Sequence, residues 1–269
     1  MVKNDRRSLK KQIEAYFEDK YNLTEEQIVP LKQAKKHFFN INWAKTIWFN
    51  FRALPFRQAV KLPFVIAFHT QIKRIGKIKV EGRTCPFMIS FGVIRLNTDS
   101  TSEKIVWSNN GVVVFHGRAK FYSGAKINIR KGGYLSFGER DSIGSCTKVV
   151  CTRKILIGRD FSISWEGQIF DTDFHFLTNM NTGKIYQREK PIIIGDEVFV
   201  GNRCTIGKGS ILPDGATVSC CSKVSGDFSK DGEYPLIVGN PAKVVKTGCK
   251  MGNSWFPKIE KEIAKKLAE

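Results

Sequence analysis

The side chains best suited to acid–base chemistry in this sequence are its histidines. Only four are present: His37, His69, His116 and His175. His175 ends the segment Asp171-Thr-Asp-Phe-His and stands at the start of the longest break in a regular sequence repeat. An imidazole, whose pKa is ordinarily about 6.5, can accept a hydroxyl proton as that oxygen attacks a carbonyl carbon. Asp173 and Asp171 are the nearby carboxylates that could orient the ring.

The repeat that must position these residues is most regular between Ile194 and Val224. Its aliphatic members recur every six residues: Ile194, Val200, Ile206, Leu212, Val218 and Val224. A period of six suits neither an α-helix nor a half-exposed strand. It predicts a coil of short parallel strands in which every sixth side chain points to one axis. Three earlier sets have the same spacing: Phe115, Phe121 and Ile127; Phe137, Ile143 and Val149; Ile157, Ile163 and Ile169.

The chain divides into three parts on this pattern. Residues 1–77 are expected to be a helical, basic and aromatic N-terminal region, because the first forty residues carry an amphipathic stripe. Residues 78–250 are expected to form the coil, interrupted by a loop at 170–193 that leaves the surface and is a natural place for function. Apolar residues four apart predict a C-terminal helix within 251–269.

The charge of the chain predicts an anionic partner. The net charge is +19, and between Trp43 and Arg83 nine Lys or Arg residues face one acid, Glu81. Aromatic residues interleave with these cations, which is typical of segments at a membrane interface, although they could instead cover one end of the coil. No apolar run is long enough for a spanning helix and no signal peptide is evident, so we expect a cytoplasmic protein, with peripheral contact at the inner face of the membrane.

The cysteines indicate reduced thiols and no metal site. There are seven of them, an odd number, and their spacing matches no metal-ligand pattern. Reduced, mostly buried thiols are usual in a cytosolic protein. We therefore expect no bound metal.

Three segments together resemble the hexapeptide-repeat acyltransferases. They are Asp171-Thr-Asp-Phe-His175, the repeat that begins Ile194-Gly-Asp-Glu-Val-Phe-Val-Gly-Asn, and Val238-Gly-Asn-Pro-Ala-Lys243. The resemblance covers about residues 105–250 and is nearest to sugar and polysaccharide O-acetyltransferases of the maltose and galactoside acetyltransferase branch. It implies a mainly β fold, a left-handed parallel β-helix. It also implies that His175 is the general base of a direct acetyl transfer without a covalent enzyme intermediate.

The resemblance further implies acetyl-CoA as the acyl donor, bound in a groove between subunits of a homotrimer. The positions that match the family's donor contacts are Gly201, Asn202, Cys220, Ser225, Gly226 and Lys243. Two of the matched segments depart from the family pattern. Phe199 stands where a tryptophan is frequent, and Cys220-Cys221 stands where a small Ala-Gly pair is frequent. Gly201 can equally be a corner glycine of the coil, and Lys243 a solvated surface charge.

Other functions fit the sequence less well. A non-catalytic, membrane-associated β-helix scaffold would make the basic aromatic region the working part, and His175 argues against it. A carbonic anhydrase on the same helix needs three zinc-binding histidines, whereas the repeat contains only His116 and His175. His116, at a turn after Phe115, is expected to be structural. Nucleic-acid binding would suit the charge, but no recognised binding module accompanies it.

Overall fold

The computed structural model describes residues 37–93, 103–249 and 251. The predicted C-terminal helix lies outside these residues, and so do the predicted N-terminal helices, except for a 3-10 turn at Phe38–Asn40. Two α-helices follow this turn, α1 (Trp43–Ala53) and α2 (Phe56–Ala59). In the part of the chain that the structure describes, no helix has the length and apolar character needed to cross a bilayer.

Three parallel sheets wind into a left-handed β-helix in which each full coil contributes one strand to each sheet. Sheet 1 contains β1 (Phe64–Ile66), β4 (Ile89–Phe91), β7 (Ala119–Phe121), β10 (Asp141–Ile143), β13 (Ser162–Ile163), β18 (Phe199–Val200), β21 (Thr217–Val218), β23 (Leu236–Val238) and the antiparallel β24 (Lys243–Lys246). Sheet 2 contains β2 (Thr70–Arg74), β5 (Ile105–Asn109), β8 (Lys126–Ile129), β11 (Lys148–Cys151), β14 (Gln168–Phe170), β19 (Thr205–Ile206) and β22 (Lys223–Val224). Sheet 3 contains β3 (Lys77–Val80), β6 (Val112–Phe115), β9 (Tyr134–Phe137), β12 (Lys154–Ile157), β17 (Ile192–Ile194) and β20 (Ile211–Leu212).

The six-residue spacing is explained by the packing of the coil interior. Every member of the repeat from Ile194 to Val224 is buried, and so are the members of the three earlier sets. Strands of the same sheet lie in register on successive coils; for example, Val200 pairs with Ile163 on one side and Val218 on the other. Each strand therefore satisfies its backbone groups with the coils before and after it, and the predicted fold class is confirmed.

The coil begins earlier than residue 78, within the stretch predicted to be an N-terminal region. β1 pairs with β4 from Phe64 onward, and β2 pairs with β5. These first coils are filled by aromatic rings, and the centroids of Phe91 and Trp107 are 5.1 Å apart. Large rings replace the aliphatic residues of the later coils, so a search for spaced aliphatic residues did not find this part of the helix.

Helix α1 closes the open edge of the first coil with polar side chains. Asn50 donates to the Phe64 carbonyl at 2.9 Å and accepts from the Phe64 N–H at 3.0 Å. The Thr46 hydroxyl accepts from the Ile66 N–H at 3.1 Å. These bonds occupy backbone groups of β1 that would otherwise form an unpaired sheet edge. At the other end of the stack, β24 folds back and pairs antiparallel with β23.

Candidate active site

The long interruption of the repeat is an arm, residues 171–191, that leaves the fifth coil between β14 and β17. It carries a short antiparallel hairpin, β15 (Leu177–Thr178) and β16 (Ile185–Tyr186). Large apolar side chains of the arm are exposed to solvent: Phe176, Leu177, Met180 and Ile185. A monomeric protein rarely exposes such a cluster without a partner. The arm leaves from the corner between sheets 2 and 3, called here the second corner.

His175 lies at a bend two residues before β15, on the outgoing side of the arm, and is exposed. The preceding residue, Phe174, is fixed in a left-handed conformation at φ +64°, and its N–H donates to the Thr172 hydroxyl at 3.0 Å. The Phe174 ring packs against Phe170 with centroids 5.7 Å apart. These contacts anchor the base of the arm, whereas the His175 ring has no hydrogen-bond partner within the described residues and is open to solvent.

Asp171 does not orient His175, contrary to the sequence prediction, because its carboxylate is used by the preceding coil. The side chain is buried, and both oxygens accept hydrogen bonds. Oδ1 accepts from the N–H and the hydroxyl of Thr152 at 2.7 and 2.8 Å. Oδ2 accepts from the N–H groups of Arg153 and Lys154 at 2.7 and 2.8 Å. Four donors leave no oxygen lone pair directed at the arm, so Asp171 caps a turn.

Asp173 also lacks the predicted contact with His175. Its exposed carboxylate pairs with the ammonium of Lys208, which comes from the second corner of the sixth coil. Lys208 also donates to the carbonyl of Gln187 on the returning strand of the arm. One lysine therefore holds both strands of the arm at their base. The carboxylate that the sequence placed beside the imidazole fixes the position of the arm instead.

His116 lies in a separate polar ladder on sheet 3. Its Nδ1 is 3.3 Å from a Glu81 carboxylate oxygen, and its Nε2 is 3.1 Å from the Ser136 hydroxyl. These residues follow or belong to stacked strands of the first three coils, far along the stack from the arm. The ring thus bridges neighbouring coils, as expected of a structural histidine.

The residues predicted to contact the acyl donor lie on the coils that follow the arm, around the outer face of sheet 2. Gly201, Asn202 and Cys220 occupy the corner between sheets 1 and 2, and the Cys221 N–H donates to the Asn202 carbonyl at 2.9 Å. Ser225 and Gly226 lie at the second corner, directly after β22, where the arm also leaves the stack. The structure thus places the predicted donor residues and the arm that carries His175 on one side of the molecule.

The N–H of Gly201 is used within the coil, so a contact between Gly201 and the acyl donor stays a prediction that concerns its other backbone atoms. That N–H donates to the Val218 carbonyl at 2.8 Å, and an added Cβ would lie 2.7 Å from the Cys220 nitrogen. The glycine is therefore required for close stacking of two coils. Gly226 differs, because an added Cβ would meet nothing within 4 Å. The Gly226 carbonyl accepts from the Ile211 N–H at 2.9 Å, but Ser225 and Gly226 are exposed, as are Cys220 and Lys243. These residues offer an accessible surface and one cation, which fits a pantetheine arm and a phosphate.

The thiols divide into buried and exposed groups. Burial raises the pKa of the Cys85, Cys151 and Cys204 thiols. Cys220 and Cys221 are exposed. Across residues 37–93, 103–249 and 251, no three His, Cys, Asp or Glu side chains gather in a way that could hold a metal ion.

One feature beside the arm was missed by the sequence analysis. An open cavity of about 740 Å³ runs along the second corner on the side away from the predicted donor residues. Its cationic lining comes from Arg74, Arg130, Lys131 and Arg188. A signal was present in the sequence, since polar residues follow the strands of sheet 2 at coil-length intervals, at Asn110, Arg130 and Thr152.

Comparison with known proteins gives distant relatives. No protein-family profile matches the chain. The "Putative lipopolysaccharide biosynthesis O-acetyl transferase WbbJ" of Escherichia coli (strain K12) is 23% identical over 148 residues, which is 51% of this chain and 73% of that protein. An "Uncharacterized 24.8 kDa protein in cps region" of Klebsiella pneumoniae is 28% identical over 200 residues, which is 73% of this chain and 84% of that protein.

Among solved structures, the polySia specific acetyltransferase NeuO is 22% identical with a TM-score of 0.44, over 71% of this chain and 78% of that chain. The chain itself presents a six-residue repeat wound into three parallel sheets and interrupted by one arm. The chain is thus similar to the hexapeptide-repeat acyltransferases in its repeat and coil, and to a named O-acetyl transferase in part of its sequence.

Proposed function

We propose that the protein is an O-acetyltransferase that moves an acetyl group from acetyl-CoA to a hydroxyl of a sugar or glycan precursor. The observation that carries the proposal is the position of His175. It lies on an arm whose base shares the second corner with Ser225 and Gly226, two coils further along the stack. Adjacent coils are about 4.8 Å apart, so the two positions are separated by roughly 10 Å along the stack. A pantetheine arm held at Ser225 and Gly226 can therefore reach toward the imidazole.

In the proposed reaction, His175 acts as the general base. Acetyl-CoA, when bound, supplies the thioester carbonyl. The exposed His175 imidazole accepts the proton of the acceptor hydroxyl as that oxygen attacks, and can return the proton to the leaving thiolate. Transfer is direct: burial raises the pKa of the Cys151 and Cys204 thiols, and the exposed Cys220 and Cys221 thiols have no hydrogen-bonded base among the described residues.

The active assembly is proposed to be a homotrimer in which the arm is covered by a neighbouring subunit. The support is the exposed apolar cluster at Phe176, Leu177, Met180 and Ile185, together with the absence of a carboxylate on the His175 ring among the described residues. A neighbouring subunit would bury the apolar side chains and could complete the surroundings of the imidazole. Asp171 and Asp173 are not assigned to catalysis, since both hold the arm.

An acyl-transfer assay tests the proposed function. With acetyl-CoA and a panel of sugars and oligosaccharides, thiol release is expected only when a suitable hydroxyl acceptor is present. Mass spectrometry of the acceptor should show the addition of one acetyl ester. A panel that releases no thiol above the hydrolysis rate, with CoA binding intact, would reject the acetyl-transfer proposal.

We also propose that the first part of the coil rests on an anionic membrane surface at the cytoplasmic side. Helix α1 directs polar Thr46 and Asn50 inward and exposes Ile47, Trp48 and Phe51. The surrounding segment 43–83 carries the nine cations and one acid already described. An apolar stripe among cations matches the anatomy of an interfacial helix, and a membrane-bound glycan precursor would then be close to the arm.

The exposed face of α1 gives a direct test of membrane contact. Replacing both Trp48 and Phe51 by Ser is expected to weaken binding to phosphatidylglycerol vesicles about tenfold, because roughly half of each ring would enter the interface. Vesicle co-sedimentation measures the change. A matched control is Trp165→Ser with Tyr234→Ser, which removes two exposed rings that lie outside both α1 and the arm. Equal binding by both double variants would show that α1 is not the contact.

A further inference from the structure

The cavity beside the arm is a groove that follows the second corner from the first coil to the fifth. Arg74 ends β2, Asn110 follows β5, Arg130 follows β8, and Thr152 follows β11. Backbone bonds link successive corners: the Asn110 N–H donates to the Ile129 carbonyl, and the Arg130 N–H donates to the Cys151 carbonyl, each at 2.8 Å. Four coil spacings of about 4.8 Å make the groove roughly 19 Å long. That length suits an extended chain better than a single small ion.

The groove is strongly cationic. Its lining has one negative side chain, Glu189, and four positive ones, Arg74, Arg130, Lys131 and Arg188. The net charge of the lining is therefore +3. The nearby Asp171 carboxylate is buried and occupied by four donors, so it faces the coil rather than the groove. A concave surface lined by one sign of charge concentrates counter-ions of the opposite sign.

Two of these cations are available to a ligand. Arg188 is paired with Glu189 at 2.9 Å, and Arg74 donates to the neutral Asn110 side chain at 2.8 Å. Arg130 and Lys131 have no carboxylate within ion-pair distance among the described residues, and both are exposed. The Arg130 guanidinium lies 5.6 Å from the Phe174 ring centroid, over the residue that precedes His175. An anion bound to Arg130 would therefore lie beside the base of the catalytic arm.

The groove and the predicted donor residues lie on opposite sides of the arm. The groove residues between Arg74 and Thr172 lie on coils one to five. The predicted donor residues lie on the part of the chain after the arm, and they include Cys220, Ser225, Gly226 and Lys243. A ligand in the groove would approach His175 from the side opposite to the acyl donor. This arrangement suits the second substrate of a transfer reaction.

We propose that this groove binds an acceptor glycan that carries repeated anionic groups, carboxylate or phosphate, and that Arg130 and Lys131 hold those groups. The proposal rests on the acetyl-transfer function, because it assigns the acceptor side of the same site. Charge-assisted bonds from guanidinium and ammonium are strong in a partly enclosed site. The neutral sugar ring between two such groups would present its hydroxyls along the groove toward the arm.

Direct binding of defined oligosaccharides tests the groove. The probes are an oligogalacturonate with its methyl-esterified neutral form, and a phosphorylated maltooligosaccharide with its unphosphorylated parent. Isothermal titration on the full chain is expected to show at least about tenfold tighter binding of one acidic probe than of its neutral partner. Whichever acid binds more tightly identifies the anionic group. Equal binding of the acidic and neutral forms, or no binding of any probe, would overturn the proposal.

A double variant tests the residues. Arg130→Gln with Lys131→Gln is expected to lose roughly tenfold or more in affinity for the acidic probe and to keep its affinity for CoA. The matched control is Lys126→Gln with Lys148→Gln, which removes two exposed lysines that stand in register on adjacent strands of the third and fourth coils. An equal loss in both double variants would mean that overall charge, and not the groove, binds the probe.

Three further outcomes separate this inference from the proposed function. Displacement of the acidic probe by CoA would assign the groove to the acyl donor and overturn the inference. Retained probe binding with no acetyl transfer to any hydroxyl would reject the proposed reaction while leaving the groove's ligand class supported. The Arg130→Gln, Lys131→Gln variant could also transfer acetyl to neutral sugars with an unchanged KM. That result would support the proposed reaction and overturn the proposal that the groove binds the acceptor.

Discussion

Replacing His175 by Ala is expected to lower kcat for acetyl transfer by about 10² to 10⁴-fold, the range that a positioned general base contributes. The acceptor hydroxyl would keep its proton as it attacks, so the transition state would carry an unfavourable charge. The fold should be unaffected, because the His175 ring is exposed and has no hydrogen-bond partner among the described residues. The initial rate of thiol release at saturating donor and acceptor measures the effect, and thermal unfolding measures the fold.

A matched control for this variant is His69→Ala, which removes another exposed imidazole from the first coil. The control is expected to retain the full rate, since His69 lies on the first coil at the corner between sheets 1 and 2 and belongs to neither the arm nor the groove. CoA binding should be unchanged in both variants, because His175 is expected to touch the acceptor and not the nucleotide. Full turnover by the His175→Ala protein would remove the general-base mechanism and require another proton acceptor.

The later coils could be predicted from the sequence because their geometry repeats at fixed intervals. A six-residue step brings Ile194, Val200 and Ile206 to the same interior axis, and the structure buries all three. The first coils do not keep that interval. The segments that join β3 to β4 and β4 to β5 are longer than a simple corner, and the interior is filled by rings such as Phe64 and Trp107. Aliphatic periodicity therefore could not locate their start.

The candidate site was predicted only in part, because contacts in a stacked coil join residues one full coil apart. Asp171 is four residues from His175, yet its partners are Thr152, Arg153 and Lys154 on the preceding coil. The groove joins residues that are further apart in the chain, because the Arg130 guanidinium lies 5.6 Å from the ring centroid of Phe174. Sequence proximity identified the arm correctly and gave the wrong partner for the Asp171 carboxylate.

The cap formed by Asp171 gives the second large expected effect, which is on stability. Replacing Asp171 by Ala is expected to reduce the free energy of unfolding by about 3 kcal/mol, because three backbone N–H groups and the Thr152 hydroxyl lose their acceptor in a partly buried turn. For a chain of this size, that loss lowers Tm by roughly 5 °C. Scanning calorimetry or circular dichroism measures the change. The remaining folded protein should keep a kcat close to that of the unchanged chain.

The control for Asp171→Ala is Asp196→Ala, which removes a partly exposed capping aspartate instead of a buried one. Asp196 is also an aspartate at a corner of the coil, but it is partly exposed and accepts one backbone bond, from the Arg159 N–H at 2.9 Å, besides an ion pair with the Arg159 side chain. Its removal is expected to cost about 1 kcal/mol, since water can replace the lost acceptor. Equal losses in the two variants would mean that burial does not strengthen the Asp171 cap. A large fall in kcat for Asp171→Ala without a loss of stability would restore Asp171 to catalysis, as the partner of His175 that the sequence indicated.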